Sequence, residues 1–191
     1  MFVVLVGNTD AEGRMVMTDL LCQFKEKVIE HNQSNTPSSS APSFLFTCAT
    51  LTGHALRAYD GYGITLDNGV ARKHNISKRI YSAGHVLADP FEISTLRRED
   101  IDCVKPGRSS EDLVSANDQP STMTNRGHQY PAGFMLQASG LDQYGLNNKE
   151  LSIGYTHLDV AGSAELISSV GWSLPRVTGS PVVALTGAFL F

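Results

Sequence analysis

Two carboxylates and a guanidinium stand at alternate positions near the start of this chain: Asp10, Glu12 and Arg14, in the run Asn8-Thr9-Asp10-Ala11-Glu12-Gly13-Arg14. They follow the apolar stretch Phe2-Val3-Val4-Leu5-Val6 and a glycine, Gly7. A β-branched strand that stops at a glycine can aim all three side chains at one spot. Asp and Glu are hard oxygen ligands suited to divalent metals, and a carboxylate can bridge two ions that share a site. The Arg would then supply a fixed positive charge for a bound anion or a developing oxyanion. The same residues also have a purely structural reading. Thr9 or Asp10 could N-cap a following helix, with Asp10 and Glu12 favoured by the positive end of its dipole. The residues alone leave both readings open.

The elements that would position these groups are visible in the patterning. Residues 2–6 read as a buried strand. From about Glu12 to Glu30, Val16, Met17, Leu20, Leu21, Phe24 and Val28 follow helical spacing, which predicts a helix lying against a sheet. The Ser-, Asn- and Pro-rich stretch 32–42 cannot bury enough apolar area to order itself and reads as a flexible loop. Ser43 to Thr50 reads as a second buried strand. Strand, helix, strand at this spacing predicts a parallel pair joined by a right-handed crossover, with ligands collecting outside the carboxyl ends of the strands. Asp10 and the turn Leu51-Thr52-Gly53 both fall at such ends, so the two should be neighbours in space.

Further along, a second helix is expected within 69–88, with Ile76, Ile80, Ala83 and Leu87 on one side. The segment 92–118 is mixed, with a turn at Pro106-Gly107. A third helix is expected over 129–144, with Pro131 in its first turn, then a strand from about Leu151 to Val160 and a terminal helix from Pro181 through Phe189. The fold class expected is α/β: a three-layer α/β/α sandwich around a mixed, partly parallel sheet.

Composition narrows the classes. The chain has 191 residues, 41% of them apolar, enough for one domain with a sizeable core. Its net charge of -4, with 15 scattered Lys and Arg, leaves no basic stripe for nucleic acid. Arg72-Lys73 and Arg97-Arg98 read as solvated surface. No apolar run approaches the ~18 residues of a membrane span, and residues 1–6 lack the basic flank of a signal peptide. Cys22, Cys48 and Cys103 show no Cys-x-x-Cys spacing, so they read as inert buried or half-buried thiols in a reducing cytoplasm. Gly-x-Ser-x-Gly and glycine-rich phosphate loops are absent, which argues against a serine nucleophile or a nucleotide site.

The heptapeptide NTDAEGR is similar, letter for letter, to the signature of the leucine aminopeptidase (cytosol aminopeptidase) family of two-metal exopeptidases. Ala49-Thr50-Leu51-Thr52-Gly53, His157-Leu158-Asp159-Val160-Ala161-Gly162 and Thr178-Gly179-Ser180-Pro181-Val182 keep the family's order, so the resemblance covers nearly the whole chain. VGNTDAEGRMVM and TLTGHALRAYD look most like the branch called aminopeptidase-like 1. The resemblance implies a metal-dependent aminopeptidase that removes N-terminal residues from peptides with two divalent ions, Zn2+ or Mn2+. It implies Asp10 and Glu12 as metal ligands, with Glu12 bridging. Arg14 becomes the catalytic residue that holds a proton-shuttling bicarbonate, and Thr50, Leu51 and Gly53 become the substrate-binding wall. It also implies peptide substrates, a cytoplasmic location and a homo-oligomer, the family's hexamer, with no nucleic acid or membrane partner.

The departures from the family matter too. In that family an upstream segment supplies a metal-binding Lys, two metal-binding Asp residues and a second catalytic Lys; here nine residues precede Asp10, and no Asp-Thr-Gly-Gly run occurs. Residues 1–191 are therefore expected to be a partial, C-terminal part of the catalytic domain, holding only part of the site and inactive by themselves. The alternative is a non-catalytic subunit with a structural or assembly role. His54 replaces a small residue at the substrate wall and would narrow or polarise the pocket, which puts a leucine-like preference in doubt. His157-x-Asp159 has ligand-like spacing but reads as a hydrogen-bonded pair at a strand end. His128 reads as an exposed polar residue on a loop near the pocket, and His31, His74 and His85 as surface.

Overall fold

The computed structural model describes residues 3–34, 42–106, 110–165 and 177–191. In chain order the elements are β1 (Val4–Leu5), α1 (Glu12–Ser34), β2 (Ser43–Ala49), α2 (Gly53–Tyr59), β3 (Gly63–Asp67), α3 (Gly69–Lys73), α4 (Ile76–Val86), β4 (Phe91–Thr95), α5 (Arg98–Asp102), β5 (Leu113–Val114), α6 (Tyr130–Ala138), β6 (Ile153–Asp159) and α7 (Val182–Phe189). Short 3-10 turns lie at Thr9–Ala11, Ser121–Met123 and Leu141–Tyr144.

Four strands form a mixed sheet in the order β2-β6-β3-β4, in which β2 and β6 are parallel, β6 and β3 antiparallel, and β3 and β4 parallel. Every residue of β6 is buried, so each of its faces must pack on something. On one face Ile153 and Tyr155 join Leu21 of α1 and Phe134 and Met135 of α6. On the other, Leu158 joins Ile76 and Ile80 of α4 and Ala184 and Ala188 of α7. A third cluster, Ile64 and Leu66 of β3 with Ala55, Leu96 and Ala132, lies beneath α2. Helices on both faces of a mixed sheet make the expected three layers. At both parallel junctions a phenylalanine of the outer strand lies over its register partner, a glycine of the inner one: Phe44 on Gly154 and Phe91 on Gly63. A Cβ added to either glycine would collide with the ring.

Several expectations are corrected. β1 does not pair with β2; it pairs in parallel with β5 in a separate two-stranded sheet. The reason is length: β2 matches β6 over seven consecutive pairs, whereas Val4–Leu5 offers two. The apolar stripe of α1 is wider than the strip it buries. Leu21 is buried, but Val16, Leu20 and Phe24 are each more than half exposed. Lys25 is buried instead, and its ammonium donates to the Ser139 carbonyl at the end of α6 (2.8 Å).

The helix expected over 69–88 is two helices, broken where Asn75 takes a left-handed conformation at φ 57°. The helix expected over 129–144 stops at Ala138. Gly140, at φ 73°, redirects the chain into a 3-10 turn. Of the loop expected over 32–42, residues 35–41 lie outside the described residues, while Asn32, Gln33 and Ser34 belong to α1. Gly107 of the expected turn also lies outside them. Cys48 and Cys103 are exposed, contrary to expectation, and Cys22 is half-buried. Among the described residues no helix is long and apolar enough to cross a membrane.

Candidate active site

The chain leaves β1 through Gly7 and tightens at once into the Thr9–Ala11 turn. Asn8 caps that turn, its side-chain oxygen accepting from the Asp10 amide (2.9 Å), so the cap expected at Thr9 or Asp10 falls one or two residues earlier. This frees the Asp10 carboxylate from a capping role. Asp10 and Glu12 are both exposed, and Arg14 is half-buried in the first turns of α1. The Arg14 guanidinium donates to the Ser115 carbonyl (2.8 Å) and lies 5.3 Å from the centre of the Tyr130 ring. Burial pulls its pKa below the ordinary value, opposed by Tyr130, Cys103 and Glu12. Its Nε is buried without a partner among the described residues.

Facing this junction is the turn that follows β2. Asp159, the last residue of β6, is fully buried, and its carboxylate accepts from the Leu51 amide (3.1 Å), the Thr52 hydroxyl (2.7 Å) and the Ala161 amide (3.2 Å). Burial raises the Asp159 pKa, and the donors from Thr52, Leu51 and Ala161 work against that rise. The Thr52 hydroxyl oxygen in turn accepts from the Ala55 amide (3.0 Å), capping α2. His157 and Asp159, expected as a hydrogen-bonded pair at a strand end, are each hydrogen-bonded but to separate partners, Asp159 to the turn and His157 to Thr47. His157 Nδ1 is 2.8 Å from the Thr47 hydroxyl, which is 2.8 Å from the Tyr155 hydroxyl. Desolvation drives the pKa of His157 down to about 3, and its Nε2 has no partner among the described residues.

The two junctions meet in one half-open cavity of about 200 Å3, lined by Asn8, Asp10 and Arg14 on one side and by Leu51, Thr52, Gly53 and His54 on the other. The spatial neighbourhood inferred for Asp10 and the Leu51–Gly53 turn is therefore present. Glu12 and Thr50 are not among its lining residues. A Cβ at Gly53 would meet nothing within 4 Å, so the protein's own packing does not require glycine there. His54 Nε2 donates to the Ser121 carbonyl (2.6 Å) and so ties α2 to the 116–124 segment that forms the far wall.

His128 corrects an expectation: it is buried, 2.9 Å from the Ser94 hydroxyl, with its ring edge-on to Tyr59. Burial, with the charges of Arg126 and His54, lowers its pKa to about 4. Sequence reasoning missed the hold of Asp159 on the turn. Its only signal was an acidic residue at the end of a strand that is otherwise fully buried.

Among the described residues no group of three or more His, Cys, Asp or Glu side chains could hold a metal ion. Asp10 and Glu12 have the right donor chemistry but are too few for a pair of divalent ions, which take about four to six ligands each. The described residues do not by themselves fit a two-metal centre.

Residues 2–186 match the cytosol aminopeptidase family, catalytic domain, and the chain belongs to that family. A Caenorhabditis elegans protein named as an aminopeptidase, W07G4.4, is 37% identical over 173 residues, covering 91% of this chain and 31% of its own. A Chlorobium phaeobacteroides protein named as a cytosol aminopeptidase is 29% identical over 176 residues, covering 92% of this chain and 28% of its own. Among solved structures, the bottromycin maturation enzyme BotP superposes with a TM-score of 0.67 at 18% identity, over 98% of this chain and 34% of that one. The leucyl aminopeptidase of Leishmania major in complex with actinonin superposes with a TM-score of 0.66 at 20% identity, over 97% and 28%. The chain spans about a third of the length of the relatives it matches.

Proposed function

We propose that this chain carries part of the active site of a metal-dependent aminopeptidase that removes N-terminal residues from peptides in the cytoplasm. The observation that carries this reading is the cavity shared by Asp10, Arg14 and the Leu51–Gly53 turn. Asp10, which lines it, and Glu12, two residues on at the start of α1, would be ligands to two divalent ions, Zn2+ or Mn2+, whose remaining ligands would come from residues other than those described. When bound, such ions polarise the scissile carbonyl and activate water. Arg14 holds an anion, bicarbonate, against the site. Thr50, Leu51 and Gly53 form the wall along which the substrate backbone lies. His54 narrows or polarises that wall, so a leucine-like preference is not carried over from the family. The enzyme assembles as a homo-hexamer.

The test compares Asp10→Ala and Arg14→Ala in the native gene product, assayed for bound metal and for hydrolysis of aminoacyl anilides. Asp10→Ala is expected to lose both metal and activity, and Arg14→Ala to lose turnover while keeping metal. Equal metal loss in the two variants would contradict this division of roles. The 191 residues alone are expected to bind Mn2+ weakly and to be inactive; calorimetry showing tight binding of two ions would overturn the partial-site reading.

A non-catalytic assembly subunit is the second reading, favoured by the lack of a metal-holding group among the described residues and by exposed Val16, Leu20 and Phe24. It predicts unchanged oligomeric mass and no hydrolysis for wild type and Asp10→Ala alike.

A further inference from the structure

We infer that Asp159 is a positioning residue of this site: its buried carboxylate fixes where the Leu51–Gly53 turn presents its backbone to a bound peptide. The role rests on the reading of that turn as the substrate wall. A carboxylate is an acceptor at both oxygens, and three donors converge on this one without any of them needing to accept in return. One oxygen takes the Leu51 and Ala161 amides, and the other takes the Thr52 hydroxyl. Only Ala161 is local. Leu51 and Thr52 lie more than 100 positions away in sequence and line the cavity themselves. A residue serving only to finish its own strand would bond its own following turn and stop there.

The anchor is rigid on its other side. Asp159 sits on a central strand, paired with Ala49 of β2 and Ile64 of β3, and it is shielded from water. Its hold extends beyond the turn, because the Thr52 oxygen that donates to it also caps α2. The open space over Gly53 means that a shift of the turn would not be resisted by packing at that residue. The carboxylate supplies the hydrogen-bonded hold on the wall, beside the packing of the Leu51 side chain on Gly13 and the core. Leaving the Leu51 and Thr52 donors without their acceptor lets the turn move and weakens the hydrogen bonds it can offer a peptide.

The test measures KM and kcat for aminoacyl-anilide hydrolysis by the native gene product carrying Asp159→Ala, Asp159→Asn or Thr52→Val, with metal content measured alongside. Asp159→Ala is expected to raise KM by about 10-fold or more, with kcat and metal content changed by less than about threefold. Asp159→Asn keeps an oxygen for the two amides and an NH2 that the Thr52 oxygen can accept, so its KM is expected within about threefold of wild type. Thr52→Val removes one of the three bonds and is expected to fall between them; it carries the test if Asp159→Ala does not fold.

A purely structural role would lower the active fraction, and hence kcat, at constant KM; that result overturns the inference, as does an Asn variant no better than Ala. If Asp10→Ala abolishes hydrolysis but the Asp159 and Thr52 variants leave KM unchanged, this inference fails alone. If wild type shows no hydrolysis, or Asp10→Ala retains it, the functional reading fails and this inference with it.

Discussion

The two sides of the cavity are built differently. On the turn side, Leu51 and Thr52 are bonded to a buried carboxylate on a central strand of the sheet, and Ala55 is bonded to Thr52. On the other side, Asp10 and Glu12 are exposed, and the strand before them is held by a two-pair ladder. Side-chain hydrogen bonds on that side run from the Asp10 amide to Asn8, from the Gly7 amide to the Ser115 hydroxyl and from Arg14 to the Ser115 carbonyl. The turn side is preorganised by the sheet, so whatever lies against it meets fixed donors and acceptors. The carboxylate side is adjustable: its acidic groups keep their hydration until a cation or partner segment replaces that water.

The contrast can be broken most sharply by removing core beneath the turn. Ile64 is fully buried below α2, and Ile64→Ala is expected to cost about 2–5 kcal/mol of stability in urea denaturation. A loss under ~1 kcal/mol would show that the turn side is not anchored in the core.

On the adjustable side the reverse pattern is expected. Asp10→Ala should reduce hydrolysis on the order of 100-fold or more, yet shift stability by less than ~0.5 kcal/mol because the side chain is exposed. A large stability loss would mean that the carboxylate is structural.

Acid should act on the turn side first. The pKa values of His157 and His128, about 3 and about 4, lie below the ~6.5 of an unfolded chain. As pH falls through 6.5 toward 4, the unfolded state binds protons that the folded imidazoles refuse, so stability is lost in that window. The raised pKa of Asp159 works in the opposite sense, favouring the folded state as its carboxyl protonates. Melting midpoints from pH 7 to 4 should fall, and fall less in His157→Gln; equal slopes would show that His157 does not titrate in this way.

The smallest effect is expected for His54→Ala. It removes one bond to the Ser121 carbonyl, costs about 1 kcal/mol, and should speed amide exchange at Met123 and Thr124 without changing exchange at Leu51. Faster exchange at Leu51 would mean that the far wall and the turn move together.

The sequence pattern made long elements legible and hid short ones. α1, β2, β6 and α7 are runs of seven residues or more with apolar periodicity, and each is present close to its expected bounds. β3, β4 and α5 have five residues each, too few to show a period, and α2 begins at a glycine that reads as a turn. The β1–β5 ladder joins residues more than 100 positions apart through two pairs, and local pattern carries no trace of such a contact. In the site, Asp10 and Leu51 are neighbours although the β1–β2 pairing from which this was inferred is absent: β1 lies in its own two-stranded sheet with β5, and the residues after it still face the turn after β2. The burial of His128 was not legible, because its partners Ser94 and Tyr59 come from distant segments.

The two phenylalanine-over-glycine contacts bear on how the chain threads its sheet. Parallel strands find each other slowly, since their partners are far apart in sequence, and a slip of two residues would keep the same faces inward and escape correction by hydrophobic pattern. Here such a slip would set Phe44 against Thr156 instead of Gly154, and the Thr side chain would occupy the ring's place. Each parallel junction thus has a keyed entry that accepts one alignment, and the added methyl of Gly154→Ala or Gly63→Ala would jam the lock.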